Sequence, residues 1–209
     1  LDKNGHTPLY IAYKNGNCTR FIKLLLEYKA NVNFKNENGD SLLHVACQIC
    51  NDWDFRLLLE HKANVNVVNK KGQTPLLIAC KYNLYRKAVI LMNYHANMNI
   101  PDQKGLFPLQ YAYKQSDIWL YELLLENGAN VDEIVENGYT PLYIATKNED
   151  GSLVSFLLKY KPKVDVVDNR GHTPLLIACT LGNYYIVENL LKLRPNVNIK
   201  DEKGRTPLY

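Results

Sequence analysis

The chain has no apolar run long enough to cross a bilayer and no basic-plus-apolar leader at Leu1, so nothing in it argues for a membrane or secretory route. It also lacks a glycine-serine or proline-rich linker, and no break in composition divides its 209 residues into separate domains. The common catalytic signatures are missing: there is no G-x-S-x-G elbow, no phosphate-cradling glycine loop, no H-E-x-x-H and no calcium loop. Cysteine is sparse and odd in number, at 5, which speaks against a disulfide framework and for reduced, intracellular surroundings. Cys47 and Cys50 form a C-x-x-C with His44 one turn earlier, but structural zinc takes four ligands and no second pair exists. Strong charge is absent too. The net charge of +4 and pI of about 8.7 fall short of the value above about 9 expected of a dedicated nucleic-acid-binding domain.

What the sequence does have is a period. A glycine followed by a helix-start signature stands at Gly5, Gly39, Gly72, Gly105, Gly138, Gly171 and Gly204, one step of 34 residues and then five of 33. The text reads GxTPL at Gly5, Gly72, Gly138, Gly171 and Gly204, with degenerate copies GDSLL at Gly39 and GLFPL at Gly105. Thr7, Thr74, Thr140 and Thr173 can cap a helix with a side-chain oxygen, and the prolines that follow fit its first position, where a missing N–H costs nothing. Each anchor therefore predicts a helix. A short apolar run, a polar turn, a second apolar helix and an ANVN-like extended stretch lead into the next turn, where Asn4-Gly5, Asn38-Gly39 and Asn137-Gly138 carry a hairpin dipeptide. Strict self-similarity at this spacing predicts a stacked array of units, each too small to bury its own apolar face.

The chain resembles an ankyrin-repeat array on these residues, over essentially its whole length. The resemblance implies an all-α, right-handed-stacked helix-turn-helix-hairpin solenoid with short β-hairpin-like loops. Repeats fall at 2–35, 36–68, 69–101, 102–134, 135–167 and 168–200, with a partial one at 201–209, in a single array spanning 1–209. The extra residue of the first repeat lies between Gly16 and Leu25. Neither end looks like a polar capping unit, so the chain reads as a fragment of a longer protein. Cys47, Cys80 and Cys179 share one repeat position in the first helix and are expected to be buried. The five histidines scatter over four repeats, and no catalytic, cofactor-binding or metal site is expected.

Function in such an array is expected on the concave face, built from hairpin tips and first helices, where similar proteins bind protein partners. At the tips this face carries Lys70, Lys71, Lys104, Arg170 and His172. Lys14, Lys81, Lys114 and Lys147 form a ladder near the ends of the first helices, with rungs about 8–10 Å apart if units pack as neighbours. Lysine there also complements the helix dipole. Leu106 and Tyr139 share a tip position, with Tyr82 on a neighbouring helix end, and apolar residues at exposed tips gain nothing from folding. The expectation is a non-catalytic scaffold or adaptor, cytoplasmic or nuclear, binding a protein with an acidic surface and not inserted in a membrane. A nucleic-acid-binding module and a regulatory or spring segment of a larger membrane protein or enzyme are the alternatives.

Two further expectations concern local structure. Trp53, Trp119 and Tyr185 share the start of the second helix and should pack partly on the neighbouring unit. The family usually ends that helix with glycine in a left-handed conformation; only Gly128 does so here, and Lys29, Lys62, His95, Lys161 and Arg194 replace it, each at a cost of about 1 kcal/mol. Phe107 also removes the capping hydroxyl of the fourth unit.

Overall fold

The computed structural model describes residues 2, 6–15, 19–134 and 139–208. The anchors Gly5 and Gly138 and the dipeptides Asn4-Gly5 and Asn137-Gly138 lie outside the described residues. Among those described, the regular structure is helical: α1 (Pro8–Lys14), α2 (Thr19–Glu27), α3 (Leu42–Ile49), α4 (Asp52–Glu60), α5 (Pro75–Lys81), α6 (Tyr85–Asn93), α7 (Pro108–Lys114), α8 (Ile118–Glu126), α9 (Pro141–Lys147), α10 (Gly151–Leu158), α11 (Pro174–Leu181) and α12 (Tyr184–Leu191). Successive helices form pairs, and no multi-stranded sheet accompanies them among the described residues. In the second hairpin Lys35 and Ser41 form an antiparallel bridge. Helices α1 and α3 are offset by 34 residues and α2 and α4 by 33, so the extra residue of the first repeat enters between Asn15 and Thr19.

The first helices begin as the GxTPL text requires. The hydroxyls of Thr7, Thr74, Thr140 and Thr173 accept the N–H three residues on, and proline fills the first helical position. The two degenerate anchors use other chemistry. His44 Nδ1 accepts the Ser41 N–H at 3.1 Å. Gln110 Oε1 accepts the Phe107 N–H, so a side chain in the first turn substitutes in part for the missing hydroxyl.

The chain divides into two compact units, Leu1–Ala129 and Asn130–Tyr209. In the first, the first helices α1, α3, α5 and α7 stack in order, with α2, α4, α6 and α8 each packed on its own partner. In the second, α9 packs on α10 and α11, and α12 on α10 and α11. Only Leu208 of the partial last repeat is exposed; in the other six of the seven copies the anchor leucine points into this packing, and Leu9, Leu43, Leu76, Leu109, Leu142 and Leu175 are all buried. So is the alanine three residues later, Ala46, Ala79, Ala112, Ala145 and Ala178, where a small side chain lets helices approach closely. Each buried leucine contributes about 1.5–3 kcal/mol of transfer free energy, the main compensation for helices too short to hold alone.

Five of the hairpins are held by the residue that opens the repeat. Oδ1 of Asn36, Asn69, Asp102, Asp168 and Asp201 accepts the backbone N–H two and four residues on, at 2.8–3.0 Å. Adjacent tips are then joined by backbone: Lys70 N–H donates to Asn38 C=O and Gln103 N–H to Lys71 C=O, each at 3.0 Å. That approach explains two anchor glycines. Gly39 and Gly72 have φ of 74° and 70°, and a Cβ would lie 2.9 Å from Lys70 N and 2.8 Å from Gln103 N. A second ladder runs through the ANVN stretches, where Asn33 Oδ1 accepts the Asn64 N–H at 2.9 Å and Asn66 Oδ1 the Asn97 N–H at 2.7 Å.

The left-handed positions are where the sequence places them. Lys29, Lys62, His95, Lys161 and Arg194 have φ between 51° and 63°, and Gly128 has 92°. The structure adds a second set after the first helices: Asn83, Ser116, Glu149 and Gly182 are also left-handed.

Two expectations are corrected. Trp53 and Trp119 are 64% and 75% exposed, so most of each ring is left uncovered. Tyr185 alone rests on its neighbour: it lies against Gly151, where a Cβ would come 2.8 Å from the ring, with its OH 3.0 Å from Ser155 Oγ. Cys47 and Cys80 are buried, whereas Cys179 is only partly so and borders a small pocket with Arg205, Thr206 and Pro207.

Candidate functional site

The lysines of the ladder are each the final residue of a first helix: Lys14 of α1, Lys81 of α5, Lys114 of α7 and Lys147 of α9. The favourable dipole position is thus occupied, and the ammonium groups pair with no carboxylate among the described residues. In two places a lysine is held against an aromatic ring. Lys81 Nζ lies 5.4 Å from the centre of the Tyr82 ring, and Lys147 Nζ 5.6 Å from that of Tyr139.

In the first unit, the tips of the second and third hairpins and the end of α5 enclose a groove of about 220 Å³, lined by Asn38, Asp40, Gln48, Asn69, Lys70, Lys71, Gln73, Ile78, Lys81 and Tyr82. Tyr82 is 53% exposed at its edge. Among the candidate residues, Lys70, Lys71, Lys81 and Tyr82 come together here. Lys104 and Leu106 sit on the next hairpin of this unit, Lys104 exposed and Leu106 half-buried, while Lys14 and Lys114 are exposed at the ends of their helices.

In the second unit, a larger groove of about 530 Å³ lies between the hairpin tip at Asp168–His172 and the helices α9 and α11; it is lined by Tyr139, Tyr143, Lys147, Asp168, Asn169, Arg170, His172, Ile177 and Leu181. It gathers Tyr139, Lys147, Arg170 and His172. Tyr139 is not a free tip residue: its ring stacks on Tyr143, 4.4 Å between centres and 6° from parallel. The expectation that an aromatic tip gains nothing from folding is therefore corrected for Tyr139. Tyr143 in turn donates its OH to Asp168 Oδ2 at 2.6 Å. Burial acts to raise the Asp168 pKa, but the Tyr143 hydroxyl, the two tip N–H groups and His172 together hold it below the usual carboxylate range. Burial, and then the same bond, push the Tyr143 phenol up. Tyr10 and Asn36 stand at the equivalent positions with the bond reversed, Asn36 Nδ2 donating to Tyr10 OH at 3.1 Å, and His6 stacks on Tyr10.

The sequence reading does not pick out Tyr143, Asp168 or Ile177 as groove residues. The signal that finds them is an aromatic three residues after the capping threonine together with an acid opening the following repeat. At the same place in the second repeat stands His44, buried, with Nδ1 accepting from Ser41 N–H and Nε2 donating to Gln73 C=O at 2.7 Å. Burial lowers its pKa, and these bonds give it a tie between hairpins rather than a free coordination site. Burial also pushes the thiols of Cys47 and Cys50 up, to about 12 and about 11, away from the thiolate form that metal binding and redox chemistry use. Among the described residues no three His, Cys, Asp or Glu side chains are grouped to hold a metal ion, and no helix is long and apolar enough to cross a membrane.

The profile described as ankyrin repeats in 3 copies matches residues 1–69, 54–135 and 131–201. The chain belongs to the ankyrin-repeat family. Among solved structures, the ankyrin repeat domain of Bcl-3, titled a unique member of the IkappaB protein family, is similar over 99% of this chain and 94% of its own, with 26% identity and a TM-score of 0.74. The human ASB11 ankyrin repeat domain is similar over 97% and 90%, with 30% identity and a TM-score of 0.61. Comparison with the curated proteins gives no match. Ankyrin-repeat domains are in general protein–protein interaction modules, and the all-α repeat solenoid here is of that kind.

Proposed function

We propose that this array is a non-catalytic scaffold or adaptor of the cell interior, binding a protein partner through its hairpin tips and first helices. Tyr82, Leu106 and Tyr139 are the central contacts in this reading, with Lys14, Lys81, Lys114, Lys147, Lys70, Lys71, Lys104, Arg170 and His172 supplying a basic surround for an acidic partner. The observation that carries it is the coincidence, in each unit, of a groove with an aromatic ring and a lysine that pairs with no carboxylate among the described residues. Aromatic anchors within a polar rim are what interface hot spots favour.

Selection of binding peptides from a displayed random library tests this. Selected binders should lose at least about tenfold in affinity on Tyr82→Ala, Leu106→Ala or Tyr139→Ala, while Trp119→Ala at the start of α8 changes little. Tyr139→Ala is compared with its own urea midpoint, because its stacking on Tyr143 contributes to folding as well. Binders that respond only to Trp53 and Trp119 would move the interaction to the second helices and overturn the proposal.

A further inference from the structure

We infer that the groove of the second unit takes an extended peptide segment in which an apolar side chain lies between anionic ones. The inference rests on the protein-binding reading above and assigns a ligand chemistry to one of its two grooves. Its first support is what remains of the charge once internal partners are counted. Asp168 is the only carboxylate among the described groove residues, and all its acceptor capacity is engaged: Oδ1 accepts from the N–H of Arg170 and His172, each at 2.8 Å, and Oδ2 from Tyr143 OH at 2.6 Å and His172 Nδ1 at 3.0 Å. His172 is engaged as well, its Nε2 lying 3.6 Å from Asp201 Oδ2. Lys147 and Arg170 are left, both exposed and neither paired with a carboxylate among the described residues. Among the described residues the groove thus presents two cations with no carboxylate partner, one at the end of α9 and one at the hairpin tip.

The second support is the surface between them. Tyr139 lies flat on Tyr143, with Lys147 Nζ over its ring 5.6 Å from the centre; Ile177 is half-buried and Leu181 exposed. Leu181 is an apolar residue at a helix end that folding leaves uncovered. A volume of about 530 Å³ lies within the ~300–1,000 Å³ of pockets that enclose short ligands. An extended chain suits this layout because successive side chains point to opposite sides. One apolar side chain can face Tyr139, Ile177 and Leu181 while its anionic neighbours reach Lys147 and Arg170. Arg170 offers a planar fork for a carboxylate, and its backbone is already fixed by Asp168.

The test uses the whole chain and fluorescein-labelled hexapeptides in anisotropy titrations. One peptide alternates Glu with Leu and Phe; a second replaces each Glu by Gln; a third keeps Glu and replaces the apolar residues by Ala. The first should bind at least about tenfold more tightly than the other two, and its affinity should fall as salt rises. Lys147→Gln and Arg170→Gln should each weaken it by about tenfold and flatten the salt dependence with an unchanged urea midpoint, while Lys23→Gln on the exposed side of α2 leaves it as it was. Equal binding of the Gln peptide, no binding of the first peptide, or indifference to Lys147 and Arg170 would overturn the inference. The protein-binding reading survives such a failure if display-selected peptides still depend on Tyr82, and falls only if those too bind elsewhere.

Discussion

At the scale of single residues, the side chains that look most chemical are those that stitch repeats together. His44 is the clearest case. Its Nδ1 accepts a backbone N–H, which requires the proton on Nε2, and Nε2 donates to Gln73 C=O. A second proton would have to break the Ser41 bond and bring charge into a buried site, so burial lowers the His44 pKa below 6.5. The sign follows from linkage: the unfolded chain takes up this proton near pH 6.5, the folded one only lower, so the contribution is present above about pH 6.5 and is lost as the solution is acidified through that window, by at most about 1.4 kcal/mol per pH unit. His44→Gln separates this from the other histidines, because Gln110 already stands at the equivalent position and accepts the Phe107 N–H. Urea midpoints at pH 7.5 and 5.5 should drop more in the parent than in His44→Gln. Equal drops would mean that His44 does not titrate in this range. The buried Lys87 shows the same logic with a fixed charge: its Nζ lies 2.9 Å from Asp52 Oδ1 and 4.8 Å from the centre of the Phe55 ring, where the later repeats carry buried Leu120 and Ile186.

At the scale of the element, the helix starts, the paired helices and the left-handed ends were legible in the sequence because each is a local rule: a capping oxygen, a proline, a period, a residue forced to positive φ. The hairpins were legible as turns but not as a ladder. Nothing in the sequence of one repeat says that Asn33 will accept from Asn64, since that bond exists only once the units stack. The same holds for the exposed Trp53, whose degree of burial local sequence alone does not determine. The anchor glycines join the two kinds of rule. Gly72 and Gly182 share φ of 70°, but a Cβ at Gly72 would meet Gln103 N at 2.8 Å while one at Gly182 meets nothing within 4 Å. Alanine at either position costs about 1–2 kcal/mol for its backbone alone. Gly72→Ala should cost clearly more than Gly182→Ala, by about 1 kcal/mol or more in urea unfolding, since the Gln103-to-Lys71 bond must shift as well. Equal losses would show that tip-to-tip pairing contributes little.

At the scale of the whole molecule, stacked repeats leave the tips and first-helix ends free of the demands of the core, and that is where charge can be spent on a partner. The lysine ladder is the feature on which the stability and binding readings part. Lysine at the last position of α1, α5, α7 and α9 adds about 0.3–1 kcal/mol per site at low salt if it acts only on the helix dipole. A ladder used for an acidic partner acts on association instead, through exposed charges screened over about 8–10 Å at physiological salt. The candidate site was legible in the sequence to this extent: the lysines and tips were named, but not the Tyr143–Asp168 bond that holds the second groove or the internal pairing that leaves Lys147 and Arg170 without a carboxylate partner among the described residues. The combined variant Lys81→Gln, Lys114→Gln, Lys147→Gln decides between the two readings. If the ladder serves a partner, association with an acidic display-selected binder should slow by about tenfold or more and lose most of its salt dependence, with the melting temperature within about 2 °C of the parent. If the ladder serves the helices, the melting temperature should fall by several degrees and the association rate stay where it was.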